Sequence, residues 1–367
     1  MKKETDQSIP YPRFVIRRKM MDFIGRLLVR ILARPQLEGL ENIPETGPVI
    51  LAGNHVSMLE PVFMFLFARQ PVEPVGAGDM PFEGFIDAIV GAYGYIPVNR
   101  GLLDRKAMNQ ALGVLKQGGF LGIYPEGGTW DPGNMRAQIG VAWLSHKGSA
   151  VVVPIGFSGF RNSWGKVFKF QRPRLRMKVG KPIPALKVED ESRQVKEVYQ
   201  EYADLVLERI QELVDPAERL DVPVRSEFEL EVKPENGEKL DLPGHETIAL
   251  FFFNSVMLDS ISINLKRQIG PLYPVAMERT LNGFASALEA ALDVLNDNAA
   301  FFTYRLGMER GRQLEQALKS LRDYLAGLTG TEKVCLHARA RFDYADGRVE
   351  ELRHAYILEP ACSAAGF

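Results

Sequence analysis

The chain has 367 residues, 46% of them hydrophobic and 25% charged, a balance typical of globular domains that excludes collagen-like, low-complexity and disulfide-scaffold chains. Its 45 Lys plus Arg against 46 Asp plus Glu leave a formal charge of -1, so no global field draws it to nucleic acid and no such partner is expected. At roughly 150 residues per domain the length predicts two domains or three small ones, and the two cysteines, Cys335 and Cys362, exclude a disulfide framework and point to a reducing, cytoplasmic setting.

The first periodic stretch runs from Arg13 to Arg34. Phe14, Val15, Ile16, Met20, Met21, Phe23, Ile24, Leu27, Leu28, Val29, Ile31 and Leu32 are interleaved with seven cations, and Asp22 is the single acid. No window of about 18 to 20 residues is free of charge, as a helix crossing the hydrocarbon core requires. The pattern predicts an amphipathic helix lying on an anionic membrane surface and ended by Pro35, although a packed helix with a solvated basic face has the same composition. Residues 1–35 are set apart on this basis, with peripheral attachment at the cytoplasmic face of a membrane as the expectation.

From Gln36 to about Val214, short β-rich runs alternate with helical stretches, the signature of an α/β domain with a mostly parallel sheet flanked by helices. Strands are predicted at 48–52, 95–99, 120–124, 150–157 and 175–179, and helices at 61–69, 82–92, 103–116 and 135–147. Val195, Val198, Tyr199, Tyr202, Leu205, Val206, Ile210 and Leu213 then fall at helical spacing and predict a long closing helix. Prolines and glycines from Pro216 to Gly244 mark a boundary, giving a domain over 36–218 and a smaller C-terminal α+β domain over 219–367. In the latter, a strand at 227–232, helical patterns at 246–265, 273–295 and 299–325, and a hairpin turning at Asp346 and Gly347 are expected.

The chemistry centres on Asn54-His55-Val56-Ser57-Met58-Leu59-Glu60-Pro61. It follows a strand and opens a helix, with Pro61 in the first turn. A turn there lets the Glu60 carboxylate fold back toward His55, and an imidazole so held is a general base with fixed tautomer. A capping Glu beside an unrelated loop His is the competing reading of the pair taken alone.

Three further segments follow in order: Gly94-Tyr95-Ile96-Pro97-Val98-Asn99-Arg100-Gly101, Tyr124-Pro125-Glu126-Gly127-Gly128-Thr129, and Val151-Val152-Val153-Pro154-Ile155-Gly156. With the His55 segment they resemble the four blocks of the glycerolipid acyltransferase family typified by 1-acylglycerol-3-phosphate acyltransferase, over about residues 36–185. The resemblance implies transfer of a fatty acyl group from a thioester, acyl-coenzyme A or acyl carrier protein, to a hydroxyl of a lysophospholipid-like acceptor. It implies His55 and Glu60 as the catalytic pair. Asn54, Arg100, Glu126, Gly127, Thr129 and Pro154 are the implied substrate-binding residues, with Arg100 on the substrate phosphate. No metal or cofactor is implied beyond the thioester co-substrate.

Two departures stand out. The carboxylate after the His is Glu60 where the family usually has Asp, and Trp130 stands where an Arg commonly follows the third block. The first leaves open a catalytically silent lipid-binding protein, and the second leaves the phosphate to Arg100 and Arg136 or implies an acceptor that is not a simple phosphomonoester; an acyl thioester hydrolase, in which water replaces the acceptor, is a further reading. Ser57, two residues past the His, reads as a capping hydroxyl and not a nucleophile. Arg172, Arg174, Arg176 and Lys178 alternate in a stretch, 161–187, that contains no acid, and predict a cationic strand face for anionic headgroups, coenzyme A or an acidic carrier protein. Cys335, His337 and His354 are expected on one face of the C-terminal hairpin, where Arg339 and Arg341 argue against a zinc site.

Overall fold

A computed structural model of the chain describes residues 9–57, 59–78, 84–99, 104–127, 137–160, 163–188, 195–219, 225–253, 280–297, 299, 303, 307–328, 332–344 and 347–360. They fall into two compact units divided near residue 220.

The first unit opens with helix α1 (Val15–Leu32), which leads directly into strand β1 (Arg34–Glu38). Then come β2 (Val49–Gly53), α2 (Leu59–Phe67), β3 (Val72–Ala77), α3 (Gly84–Tyr93), β4 (Ile96–Val98), α4 (Arg105–Lys116) and β5 (Phe120–Ile123). The unit closes with α5 (Gly140–Gly148), β6 (Val151–Ser158), α6 (Ser163–Phe168), β7 (Arg174–Val179) and α7 (Val195–Leu213). The strands form one sheet in the order β1-β7-β6-β2-β5-β3-β4. From β6 to β4 all pairings are parallel, whereas β7 runs antiparallel to β6 and carries β1 parallel to itself. The domain is thus α/β with a mostly parallel sheet.

Central strand β2 is buried at all five positions, as a strand covered on both faces must be. Ile50 and Ala52 join a cluster with α4, α5 and α7. Val49 and Leu51 pack on the other face with Phe63 and Met64 of α2. Strand alternation sorts the side chains between the two layers. The chain after β2 therefore enters one layer through α2, and the chain after β5 enters the other through α5. β2 and β5 are neighbours, so their carboxyl ends meet at a topological switch point, the place where open α/β sheets form a crevice.

The five strands predicted in this domain are β2, β4, β5, β6 and β7, within two residues at each end. Three elements were not expected: β1, β3 and α6. Strand β3 carries Pro74 and Gly76, which break a strand pattern, and its Glu73 is fully buried, so nothing local marks it as core.

In the second unit β8 (Arg225–Pro234), β9 (Val334–Asp343) and β10 (Val349–Leu358) form an antiparallel sheet in the order β10-β9-β8. α8 (His245–Phe253) packs on β8, and helices Leu281–Asp297 and Met308–Gly327 pack together. The helical patterns expected over 254–265 and 273–279, and Asp346 of the hairpin turn, lie outside the described residues. In the hairpin Asp343 pairs with Val349, which puts His337 opposite Ala355 and His354 opposite Ala338. This register differs by one residue from the one expected, and a one-residue slip reverses the face of every side chain. His354 therefore faces away from Cys335 and His337, and no metal-binding group exists among the described residues.

Candidate active site

The turn after β2 is built by close packing and then pinned by carboxylates. Gly53 ends the strand, where an added Cβ would lie 2.7 Å from Phe157 and 3.1 Å from Met64, so only glycine fits. Asn54 follows, nearly fully buried. Its Nδ2 donates to the Phe157 carbonyl at 3.1 Å, and its Oδ1 accepts from the Phe157 amide at 2.7 Å. Both ends of the amide are thus spent on β6. Asn54 thereby ties the ends of β2 and β6 together.

His55 lies next on the chain. Its backbone N–H donates to Glu126 Oε2 at 3.2 Å, and the following amide, Val56, donates to Glu60 Oε1 at 2.6 Å. Two buried carboxylates therefore hold consecutive amides, one from the first turn of α2 and one from the loop after β5. The ring of His55 stacks on Tyr124, with centroids 4.5 Å apart and planes 30° apart. The Glu60 carboxylate folds back onto the turn, where its described bond is to the backbone N–H of Val56. Its second oxygen, Oε2, is buried with no hydrogen-bond partner among the described residues, and the same holds for the Tyr124 hydroxyl. Ser57 Oγ accepts from Leu59 N–H at 3.1 Å, the capping role expected of it.

The loop after β5 has its own local logic. Gly127 donates its N–H to the Tyr124 carbonyl at 2.9 Å and adopts φ 71°, a left-handed conformation that favours glycine. The tight turn swings Glu126 back toward β2. Its carboxylate is fully buried and holds the backbone under His55 through Oε2.

Burial dominates the electrostatics. It pushes the Glu60 carboxyl up from 4.5 to about 8, against the lowering effect of the Val56 and Ser57 hydrogen bonds. It pushes Glu126 to about 8 as well, with the charge of Glu60 adding to the rise. The Tyr124 hydroxyl is raised well above its ordinary value by burial and by both carboxylates. A histidine flanked by carboxyls poised near neutrality is the arrangement that proton-transfer sites use.

The other expected residues divide as follows. Arg100 and Thr129 lie outside the described residues. Asn99, just before Arg100, is anchored: its amide nitrogen and side chain both donate to Asp104 Oδ2 at 3.1 Å, while Asp104 Oδ1 caps α4 through Ala107 N–H at 3.0 Å. Pro154 sits in β6 opposite Ala52, accepts a hydrogen bond from Gly180 N–H at 2.8 Å, and lines a groove with Pro182, Leu205, Arg209 and Leu213 on the α7 side of the sheet.

Residues 34–158 match the Acyltransferase family model. The matched segment lies within the first unit and spans about a third of the chain. Its resemblance extends to a curated relative, the 1-acyl-sn-glycerol-3-phosphate acyltransferase of Borreliella burgdorferi, 33% identical over 92 residues. That alignment covers 24% of this chain and 36% of the relative, so it spans about a third of the relative's length. Among solved structures, the 1-acyl-sn-glycerophosphate (LPA) acyltransferase PlsC from Thermotoga maritima matches at 18% identity, covering 55% of this chain and 83% of that chain, with a TM-score of 0.38. The matched segment includes β1 through β6 and the whole of the turn that carries His55 and Glu60.

Helix α1 has an inverted character within this domain. Its inner face carries Arg18 and Gly25 beside Val29, which packs on the core: Arg18 is 4% exposed, and Gly25 approaches Leu66 so closely that a Cβ would lie 2.8 Å from it. Arg18 donates to fully buried Glu73 at 2.9 Å and to the carbonyls of Tyr93 and Gly94 at 2.9 and 3.0 Å. Arg13 donates to the same carboxylate, its Nε to Oε1 at 2.8 Å. Two of the seven cations are therefore spent inside the protein, which composition alone does not reveal. The outward face is apolar, with Ile16 83% and Phe23 74% exposed and Met20, Ile24, Leu27, Leu28 and Ile31 also uncovered. Among the described residues no helix is long and apolar enough to cross a membrane.

Proposed function

We propose that the protein is an acyltransferase that moves a fatty acyl group from acyl-coenzyme A or acyl carrier protein to a hydroxyl of a lysophospholipid-like acceptor, with 1-acylglycerol-3-phosphate the leading candidate. The observation that carries this reading is the pinned turn at the switch point: His55 is stacked on Tyr124 beside two buried carboxyls, inside the segment that matches the family model. The relatives' names supply the acceptor class, and the match to them is partial.

In this reading the acceptor hydroxyl gives its proton to the His55 imidazole as its oxygen attacks the thioester carbonyl carbon. The C–O bond forms, the C–S bond breaks, and the departing thiolate takes the proton back from the imidazolium. No covalent enzyme intermediate is required. Glu60 stabilises the imidazolium while it lasts, and Arg100 binds the acceptor phosphate, for which a guanidinium fork is suited. The chemistry runs at an anionic membrane surface, where α1 lies with its outward apolar face in the lipid boundary. A helix that buries an Arg and exposes Ile16 and Phe23 supports this better than the solvated-helix alternative.

The test is an acceptor screen with both thioester classes, reading new ester lipids by mass. His55→Ala is expected to lower the rate by about 10²- to 10⁴-fold with the fold retained. An active His55→Ala protein would remove the proposed base. Thioester consumption at full rate with no acceptor present would make the protein a hydrolase instead.

A further inference from the structure

We propose that the loop from Lys166 to Pro173 is a second contact with the anionic lipid surface, set at the C-terminal end of α1. This rests on the reading of α1 as a lipid-facing helix and adds residues that lie far from it in sequence. Phe168 and Phe170 are 67% and 71% exposed, whereas Phe157 and Phe160 a few residues upstream are fully buried. Trp164 stacks on Phe168 with centroids 5.4 Å apart, so three aromatic rings gather on one short helix and its exit. Aromatic side chains held in this way are the usual anchors at a membrane interface.

The backbone presents these rings deliberately. Phe170 and Arg172 adopt φ 53° and 49°, a left-handed conformation that is costly for such residues. It is kept by successive hydrogen bonds from Lys169, Phe170 and Gln171 amides to the carbonyls of Gly165, Val167 and Lys166. Arg172 donates to the Arg30 carbonyl at 2.9 Å, and Arg34 N–H donates to the Pro173 carbonyl at 2.9 Å. The loop is thereby tied to the last turn of α1, where exposed Leu27, Leu28 and Ile31 end the apolar stripe.

Charge identifies the partner. Lys166, Lys169, Arg172 and Arg174 flank the rings, and residues 161–187 contain no acid. Arg176, further along β7, is paired with Asp215 and Glu38, whereas Arg172 and Arg174, next to the rings, have no ion pair among the described residues. Cations next to exposed phenyl rings, continuous with an apolar helix face, match an anionic lipid boundary. An acidic carrier protein would match the charges but not the rings.

The experiment uses the full chain with phosphatidylcholine vesicles, with and without phosphatidylglycerol. Phe168→Ser/Phe170→Ser is expected to lower partitioning onto the anionic vesicles by roughly 10-fold or more, and Lys166→Gln/Lys169→Gln to weaken it in a salt-sensitive manner. An environment-sensitive label at Phe168→Cys, with Cys335→Ala and Cys362→Ala, is expected to shift to the blue on adding those vesicles. Turnover with detergent-dispersed acceptor is expected to stay unchanged in the Phe and Lys variants, which shows that they are folded. Wild-type partitioning by the Phe variant with an unshifted label overturns the loop contact while leaving α1 in place. Loss through the loop variants but none through Phe23→Asp in α1 supports the loop and overturns the α1 reading. A label shift produced by acyl carrier protein and not by vesicles overturns the lipid assignment in favour of a protein partner.

Discussion

Glu60→Gln separates the electrostatic argument from packing, because its effect on stability changes with pH in a direction the structure dictates. Burial raises the Glu60 carboxyl from 4.5 to about 8, so between those values the folded state binds a proton that the unfolded state has lost. Stability from this group is fully present below about pH 4.5 and is lost as pH rises through about 8. At about pH 8 the folded protein forgoes about 4 kcal/mol relative to a side chain that never ionises, and at about pH 5.5 only about 1 kcal/mol. Glutamine keeps the oxygen that accepts from Val56 N–H but places an NH₂ where Oε2 has no described partner, an offset of about 1–3 kcal/mol that does not depend on pH. The pH-dependent part is therefore a gain of about 3 kcal/mol for the variant on moving from about pH 5.5 to about pH 8. All three tryptophans, Trp130, Trp143 and Trp164, precede residue 165, so tryptophan fluorescence in a urea titration of the full chain reports the first unit. Equal effects of Glu60→Gln at the two pH values would refute the claim that burial sets this carboxyl.

Turnover is expected to rise with pH through about 8, since the imidazolium is best supported once the Glu60 and Glu126 carboxyls ionise, and a rate profile flat from about pH 6 to 9 would contradict that role. Glu73→Ala leaves Arg18 buried without its counter-charge and is expected to cost about 3–5 kcal/mol in urea titration, with Glu73→Gln costing less. Gly53→Ala drives a methyl against Phe157 and Met64; it is expected to destabilise by about 1–3 kcal/mol and to lower kcat by displacing the His55 turn, which a crystal structure of the variant would show.

Much of the molecule was legible in the order of its residues. Strands β2, β5 and β6 are apolar runs bounded by turn residues, and α7 repeats its apolar positions at helical spacing, so local pattern and final structure agree. The chemistry of the site was also local: His55, Ser57 and Glu60 lie in one strand-to-helix turn, and Tyr124 to Gly127 in one tight loop. What sequence could not supply is which loop meets which. Glu126 under the His55 amide and Asn54 across to Phe157 depend on sheet order, because β2 lies between β5 and β6 although the chain visits them far apart. Both residues stand out in the sequence as polar groups in conspicuous motifs, but the partners they meet are set by the fold.

The remaining differences have the same origin. Strand β3 is invisible locally because its Glu73 is stabilised by Arg18 of α1 and by Arg13 just before that helix, 55 and 60 residues earlier, and a buried ion pair is a property of two segments, not one. The composition of α1 announced an amphipathic helix, but which face turned inward was decided by Arg18 finding Glu73 and by Gly25 fitting against Leu66. In the C-terminal hairpin the pairing of Asp343 with Val349 set the faces of Cys335, His337 and His354, a choice of one residue in register that alternation alone leaves open. Local periodicity determined what elements form. Only tertiary contact decided which polar groups are buried, because burial of a charge is favourable solely where a distant partner meets it.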